Sequence, residues 1–471
     1  MKIMLAGFNV DCEALGAATQ STPVSQRDAL TPETLSAAYA RISRSPDAVD
    51  VLRCKARLDV AAARASNQKI VFEMGHKSIA EHAVFAFDLM GVSRLAIESI
   101  ERSRLASYTE KSQRYQKITR DEVVLPLEFH SYQPLFWSLI DLQFEAYQQL
   151  LLELPKVRGA KPEEDARFVL PLAMSGQLGM TINARSLEHM IGRLRSHPLY
   201  EVRDVGERLQ REAGVVAPSL IRYTDPTPLR MELRSVLLEQ YPVEMRETES
   251  PEEYTIKCRG TESEEMVAAA LLHEVSQDSF EHCFNFINRK TSEERLEFFK
   301  KILSLINVHD AVPRAFEMID VIYELDVSAS CFAQLKRHRM MTLLSQDYCV
   351  PLGYTVPPRI VESGKEYMYR EVMDQTRRVY DTLVRDCPDA AQYVLTQAHK
   401  RRVIVKMNAR ELYAFSRLRE DAHAQWEIRD LAKAMLEGAR KVMPLTLLLA
   451  CGKDVFDATK TALFGGHNAD S

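Results

Sequence analysis

The sequence predicts a mixed α/β protein made of two tandem copies of one fold, each a mixed sheet packed with helices. Three observations point there: internal repetition in preserved order, a length of 471 residues that suits two domains, and alternation between strand-like and helix-like apolar periods. TPETLSAAYARISRSPDA, near residue 31, is echoed by SEEMVAAALLHEVSQDSF, near residue 263, which sets Ser43 against Ser276 and, at the same offset, His76 against His309. VSRLAIESIERSRLAS then matches VSASCFAQLKRHRMMT, setting Arg102 against Arg337. Finally Asn183 and Arg185 match Asn408 and Arg410.

Taken in order, each copy reads as an opening strand, a helix (ETLSAAYARI in copy 1), a helix before His76, and a strand over AVFAFDLMGV with near-alternating apolar positions. Leu187, Met190, Ile191 and Leu194 keep helical spacing, as do Leu412, Phe415 and Leu418, so each Asn-Ala-Arg tripeptide opens a helix packed on a core. Thr291 and Glu294 are spaced as a capping box. RYTDPTPLRM and YPVEMRETESPEE concentrate proline and charge as linkers do. The expected domains are therefore 1–225 and 251–471, joined by a linker over 226–250.

The chain is 46% hydrophobic and 27% charged with a net charge of -5, the composition of an ordinary globular protein without the basic field that recruits nucleic acid. The eight cysteines form no CxxC pair and read as buried thiols of a reducing compartment. With no signal-peptide pattern and no run of about 18 apolar residues, a soluble cytoplasmic protein with no membrane partner is expected. Clustered Cys/His spacing and HExxH are both missing, so no metal is expected, and no GxGxxG marks a dinucleotide-binding Rossmann unit. His82, His282 and His399 read as hydrogen-bonded core residues, and Tyr108, Tyr115 and Tyr348 as anchors of loop ends.

The segment from Arg102 to Tyr115 packs arginines, hydroxyls and a carboxylate into one loop. Forked guanidinium donors suit phosphate and uracil oxygens, and hydroxyls with loop amides complete an anion nest. The bland reading of such a run is a solvated, charged helix end. Here the context is Gly75-His76-Lys77-Ser78-Ile79-Ala80-Glu81-His82, then FAF, the arginine loop, ARFVLP around Arg167, and Asn183-Ala184-Arg185. Copy 2 offers Gln334-Leu335-Lys336-Arg337-His338-Arg339 and the stretch from Asn408 to Arg429. This ordered pattern resembles the flavin-dependent thymidylate synthases, with their R-H-R-x-x-S-x-N-x-x-S-x-R-Y motif, and the resemblance covers most of the chain.

That resemblance implies reductive methylation of dUMP to dTMP, with methylenetetrahydrofolate as one-carbon donor, FAD as cofactor and NADPH as reductant. It implies flavin contacts at His76, Ser78, Arg102, Arg104, Thr109, Asn183 and Arg185 in copy 1, and at Arg337, His338, Arg339, Asn408, Arg410 and His423 in copy 2. Nucleotide contacts would fall on Glu110, Ser112, Arg114, Arg167, Gln334, Arg337 and Arg419, with Arg419 and Ser112 in the catalytic role and Arg419 helping to ionise the pyrimidine. Two chains would imitate the family's tetramer, giving a homodimer. A non-catalytic scaffold, or a flavoprotein methylating another uracil nucleotide, are the alternative readings.

The departures from the motif differ between copies. Copy 1 has Ser103 for the motif histidine, Ser99 for a glutamine and His189 for an asparagine, and its counterpart of Arg419 is either Arg193 or Arg195. Copy 2 has a shortened loop with Asp347 in the place expected for the phosphate-binding arginine, Gln392 opposite Arg167, and Ala414 for the asparagine. Since each copy keeps what the other has lost, the sequence predicts one good nucleotide site per chain, composed of both sets.

Overall fold

Both copies build the same sheet. In a computed structural model describing residues 1–18, 30–154, 161–240, 257–260 and 263–465, β1 (Lys2–Phe8), β2 (Val84–Ser93), β3 (Ala106–Glu110) and β4 (Ser175–Asn183) form one sheet in the order β1-β2-β4-β3. The strands β5 (Lys257–Gly260), β6 (Asp320–Ser328), β7 (Thr342–Ser345) and β8 (Lys400–Asn408) repeat that order as β5-β6-β8-β7. Every pairing is antiparallel, a narrower result than the mixed sheet expected. Register shows the repeat pair by pair: Val84 pairs with Asn183 as Asp320 pairs with Asn408, and Ser93 with Ser175 as Ser328 with Lys400, the copies differing by the one extra residue of a bulge between Met90 and Val92.

The alternation in β2 is the reason it is a strand. Phe85, Phe87 and Leu89 are fully buried on one face while Asp88 points out, and burying each such side chain contributes roughly 1.5–3 kcal/mol. In copy 2 the same positions carry Val321, Tyr323 and Leu325 in a core completed by Leu412, Phe415, Ile428 and Met435. Helices occupy Glu33–Arg41 and Ala184–Arg195 in copy 1, and Ser292–Leu303, with the Thr291–Glu294 capping box, and Ala409–Arg419 in copy 2. Leu418 departs from expectation: it is 52% exposed and lines a cavity instead of joining the core. Residues 228–240, inside the stretch read as linker, form a helix, where Pro228 opens the first turn and the helix Phe456–Phe464 holds the corresponding place in copy 2.

The chain divides into two compact units that do not follow the repeat. Unit 1 comprises residues 1–149, 169–248 and 368–394, and unit 2 comprises 150–168, 249–367 and 395–471. Copy 1 thus gives a short segment to the unit of copy 2, and copy 2 gives one to the unit of copy 1. Inside unit 1, the backbone N–H of Ala173 donates to Tyr393, and inside unit 2, that of Ala398 donates to Phe168. The two bonds are mirror images, which makes Phe168 the equivalent of Tyr393 and Arg167 that of Gln392.

The cysteines are all free, but only Cys283, Cys331 and Cys451 are buried; Cys12 and Cys54 are exposed, Cys12 at the first turn of a short helix and Cys54 on the open face of another. His282 is exposed as well, because it lies on the outer side of the helix Phe280–Asn288, away from buried Cys283 and Ile287. No helix among the described residues is long and apolar enough to cross a membrane.

Candidate functional site

Each unit holds one arginine in the same cradle. In unit 2, Ser328 caps the helix Ala329–Leu335, its Oγ accepting from the Cys331 N–H, and buried Glu427 accepts from the Ser328 hydroxyl at 2.6 Å and the Thr355 hydroxyl at 3.1 Å. Burial raises the Glu427 pKa, and the hydrogen bonds from Ser328 and Thr355 oppose that shift. At the end of this helix, the Arg419 Nε donates to His338 Nε2 at 2.9 Å and its Nη2 to the Gln334 carbonyl at 3.0 Å. An imidazole nitrogen that accepts from a guanidinium must be unprotonated. Burial, followed by the Arg419 charge, pushes the His338 pKa down to about 3, so the ring is neutral and fixes the guanidinium without competing with it.

Unit 1 repeats the cradle with different residues. Ser93 caps the helix Arg94–Glu101, and Glu201 accepts from the Ser93 hydroxyl at 2.6 Å and from the Tyr393 hydroxyl at 2.7 Å. Here Arg193 donates to the Ser99 carbonyl at 2.6 Å and to the Ser103 hydroxyl at 3.1 Å. Because Ser99 and Ser103 stand where Gln334 and His338 stand, Arg193 is the counterpart of Arg419. Arg195 is turned away, bonded to Thr224 and Asp225. Burial and then the nearby Arg102 charge lower the Arg193 pKa to about 10.

The arginine loop of copy 1 leaves β3 with Glu110 bonded to buried Arg94 at 3.1 Å and the Lys111 N–H on the Gln177 carbonyl. Ser112 then accepts from the Arg114 N–H at 3.3 Å, and Arg114 lies over the Tyr115 ring. Tyr108 and Tyr348 are buried anchors, but Tyr115 is 56% exposed, since the loop lifts it off the core. In copy 2 the Gln346 N–H meets the Arg402 carbonyl as Lys111 meets Gln177. Strand register therefore sets Asp347 at the position of Ser112, not of Arg114 as the sequence suggested; the shortening lies farther on, before the bridges Val123–Met174 and Tyr354–His399. A carboxylate at the serine position repels a phosphate as surely as one at the arginine position.

The residues read as cofactor contacts fall into separate places. In unit 2, Asn408 and Arg410 line a cavity of about 510 Å³ together with His309, Met340 and Arg417. Arg410 is paired with Glu317 at 2.7 Å, and the Asn408 Oδ1 caps its helix by accepting from the Glu411 N–H at 2.8 Å. His338 lies beside this lining, its Nδ1 3.8 Å from Glu411. Arg337 and Arg339 are half-buried beyond the helix end, and exposed His423 is bonded to Asp421 at 2.8 Å. In unit 1, Arg104 and Asn183 line a cavity of about 350 Å³. Arg185 pairs with Glu81 of that lining, while Thr109 and Glu110 line another cavity of about 460 Å³. His76, Ser78 and Arg102 are exposed, with His76 3.4 Å from Arg44. The fully buried His399 is held by Thr396, and burial lowers its pKa to about 4.

Arg167 belongs to unit 2 and is 4% exposed, its Nε donating to the Glu164 carbonyl. Sequence reasoning missed its surroundings. Asp165, wholly buried, accepts from Arg359 at 2.5 Å and from the Trp426 indole at 2.9 Å, and Trp426 stacks on Phe168.

Comparisons agree with this two-copy layout. The family model described as "Thymidylate synthase complementing protein" (Thy1) matches residues 27–219 and again 257–445. A UPF0159 protein of Chlamydia pneumoniae is 24% identical over 431 residues, 82% of this chain and 80% of that protein. A flavin-dependent thymidylate synthase of Geobacter sulfurreducens is 34% identical over 201 residues, 41% of this chain and 83% of that protein. Among solved structures, the UMP/dUMP methylase PolB from Streptomyces cacaoi, bound with 5-Br dUMP, aligns with 46% of this chain and 92% of its own at 20% identity and a TM-score of 0.34. Two matched segments, two sheets of one strand order and two arginine cradles lead to one statement: the chain belongs to the Thy1 family, thymidylate synthase complementing protein, and carries the family fold twice in tandem.

Proposed function

We propose that this chain is a flavin-dependent enzyme that reductively methylates a uracil nucleotide, dUMP to dTMP, with methylenetetrahydrofolate and NADPH as co-substrates. The observation that carries the reading is the Arg419 cradle: a guanidinium held by a neutral imidazole and a carbonyl keeps its full charge and is fixed in place, the kind of group that could stabilise negative charge developing on a pyrimidine ring. The nucleotide contacts proposed for each chain are Glu110, Ser112 and Arg114, which lie in unit 1, and Arg167, Gln334, Arg337 and Arg419, which lie in unit 2. The arginines and hydroxyls bind and orient the phosphate; Arg419 stabilises the ionised ring.

The 510 Å³ cavity of unit 2 is of a size to take a flavin ring, with Met340 and Leu418 beside Arg410, Arg417 and Lys453, and with Asp310, Glu317 and Glu411 also in its lining. Asn408, Arg410 and Arg417 would hold FAD, which when bound supplies the hydride that completes the methyl group. As a homodimer, two chains would carry four copies of the fold. Release of tritium from 5-tritiated dUMP, dependent on added methylenetetrahydrofolate and NADPH, is the expected result, from a protein with flavin absorbance. Arg114→Ala should weaken dUMP binding about tenfold or more by removing a charge-assisted bond. The scaffold reading, which draws on Ser103 and Asp347, predicts no tritium release and is disfavoured by flavin absorbance.

A further inference from the structure

Two equivalent segments, 161–168 and 386–393, are anchored differently: 386–393 is held by Tyr132 on Asp386, Arg234 on Asp389 and the Tyr393 hydroxyl on Glu201, and 161–168 by a buried ion pair beside Arg167. In unit 2 the buried Asp165 carboxylate takes the Arg359 Nε and the Trp426 indole N–H, while Arg359 Nη2 reaches the Lys161 carbonyl at 2.9 Å. The Trp426 ring lies on Phe168 with centroids 6.0 Å apart and planes 19° from parallel. Arg167 sits between the two anchored residues, on the turn that follows the helix Pro162–Ala166. In unit 1 the position of Asp165 is Ala390, that of Trp426 is Tyr200, and that of Arg359 is Glu128, as the matching turns Pro126–Phe129 and Pro357–Ile360 establish. Glu128 accepts instead from the Tyr200 backbone N–H at 2.8 Å, and the position of Arg167 is Gln392. The buried Asp165–Arg359 pair and Arg167 stand together in unit 2, and unit 1 has neither, its segment holding the exposed pair Arg234–Asp389.

A buried ion pair is weak support for stability, because desolvation of both charges offsets much of their attraction. Its presence only beside the retained arginine points to positioning. We propose that Asp165, Arg359 and Trp426 form a staple that positions Arg167 to grip the phosphate of a nucleoside monophosphate; this rests on the nucleotide reading above. The staple fixes the backbone on both sides of Arg167, so its guanidinium meets the anion without first losing the freedom of a mobile loop. Asp165, Arg359 and Trp426 are positioning residues and need touch no ligand.

The test uses the full-length chain, titrated with dUMP and, separately, with deoxyuridine, which lacks the phosphate. Asp165→Asn should weaken dUMP binding about tenfold, raise KM by a similar factor with kcat little changed, and leave deoxyuridine affinity where it was. Trp426→Phe keeps the stack on Phe168 and removes only the N–H donor, so it tests the staple with the packing intact; a roughly threefold loss for dUMP alone is expected. Should both variants bind dUMP as the wild type does while Arg167→Ala does not, the staple is overturned and the nucleotide reading stands. Equal losses for dUMP and deoxyuridine would also overturn it, since a general loosening of the unit does not single out the phosphate. A wild-type chain that binds neither ligand removes both the reading and the staple.

Discussion

Arg193 in unit 1 and Arg419 in unit 2 leave equivalent helices for equivalent partners, yet they reach them from different positions. Arg419 stands eleven residues after its helix cap Asn408, and Arg193 ten after Asn183. The position in copy 1 that corresponds by count is Leu194, which is wholly buried in the core. Arg193 compensates from the neighbouring position, with Ser103 in place of the imidazole. The comparison teaches that a duplicated fold can keep the architecture of a site after its residues have been replaced: the cradle survives in unit 1, with a small serine hydroxyl where unit 2 sets a buried, neutral imidazole against the guanidinium.

The sharpest way to break this comparison is to remove each arginine in turn. Arg419→Ala should lower tritium release from dUMP by about 10²–10³-fold, the usual effect of deleting one preorganised group that meets developing charge. Arg193→Ala should leave turnover within a few-fold and act through packing, since its guanidinium ties the Ser99 carbonyl of the helix to the Ser103 hydroxyl beyond its end. Equal losses in the two variants would mean both units do the same chemistry, and the asymmetry drawn here would be wrong.

A second, smaller effect concerns protons. Folding holds His338 and His399 neutral, with pKa values near 3 and 4 against an ordinary value near 6.5. Below about pH 6.5 the unfolded chain takes up protons that the folded chain refuses. The stability these groups contribute is therefore full above that pH and is lost as pH falls toward 4 and then 3, at up to about 1.4 kcal/mol per pH unit per group. Glu201 and Glu427, with raised pKa values, work in the opposite sense, so the clean measurement is a difference. His338→Gln offers Arg419 an acceptor that does not titrate. Its urea-unfolding free energy should fall less steeply than that of the wild type between pH 6.5 and 4.5; parallel profiles would show that His338 is not held neutral.

Much of the fold was legible because it is local. Alternation in β2, the Thr291–Glu294 box and the Asn-Ala-Arg helix starts each need only a few consecutive residues, and each occurs where the pattern sets it. The helix Pro228–Gln240 was hidden because its proline and charges read as a linker, and a proline at a first helical turn looks the same in sequence as one in a loop. What decides the site was less legible because it is not local. Asp165, Arg359 and Trp426 are far apart in sequence, and only the exchange of segments between units brings them together. The choice between Arg193 and Arg195 turned on two residues of helical phase, which set them on different faces of one helix, and the place of Asp347 on strand register that a gapped motif cannot reveal.

The smallest effect separates a cap from a ligand contact. Asn183 and Asn408, both read from the sequence as cofactor residues, have the same extended backbone and the same bond, Oδ1 accepting from Ser186 or Glu411 at 2.8 Å. With the oxygen bonded to the helix backbone, the amide N–H group is the donor that remains to meet a ligand. Replacement by alanine removes both functions and should cost about 1 kcal/mol in either unit. Replacement by aspartate keeps an acceptor, favoured at a helix N-terminus by the dipole, and removes the donor. Asn183→Asp and Asn408→Asp should thus both unfold close to the wild-type midpoint. The unit that holds flavin is the one where the aspartate variant stays stable but loses bound flavin absorbance, and the larger cavity around Asn408 predicts unit 2. Loss of flavin from Asn183→Asp with Asn408→Asp unaffected would reverse that assignment and make the intact arginine loop's own unit the cofactor carrier.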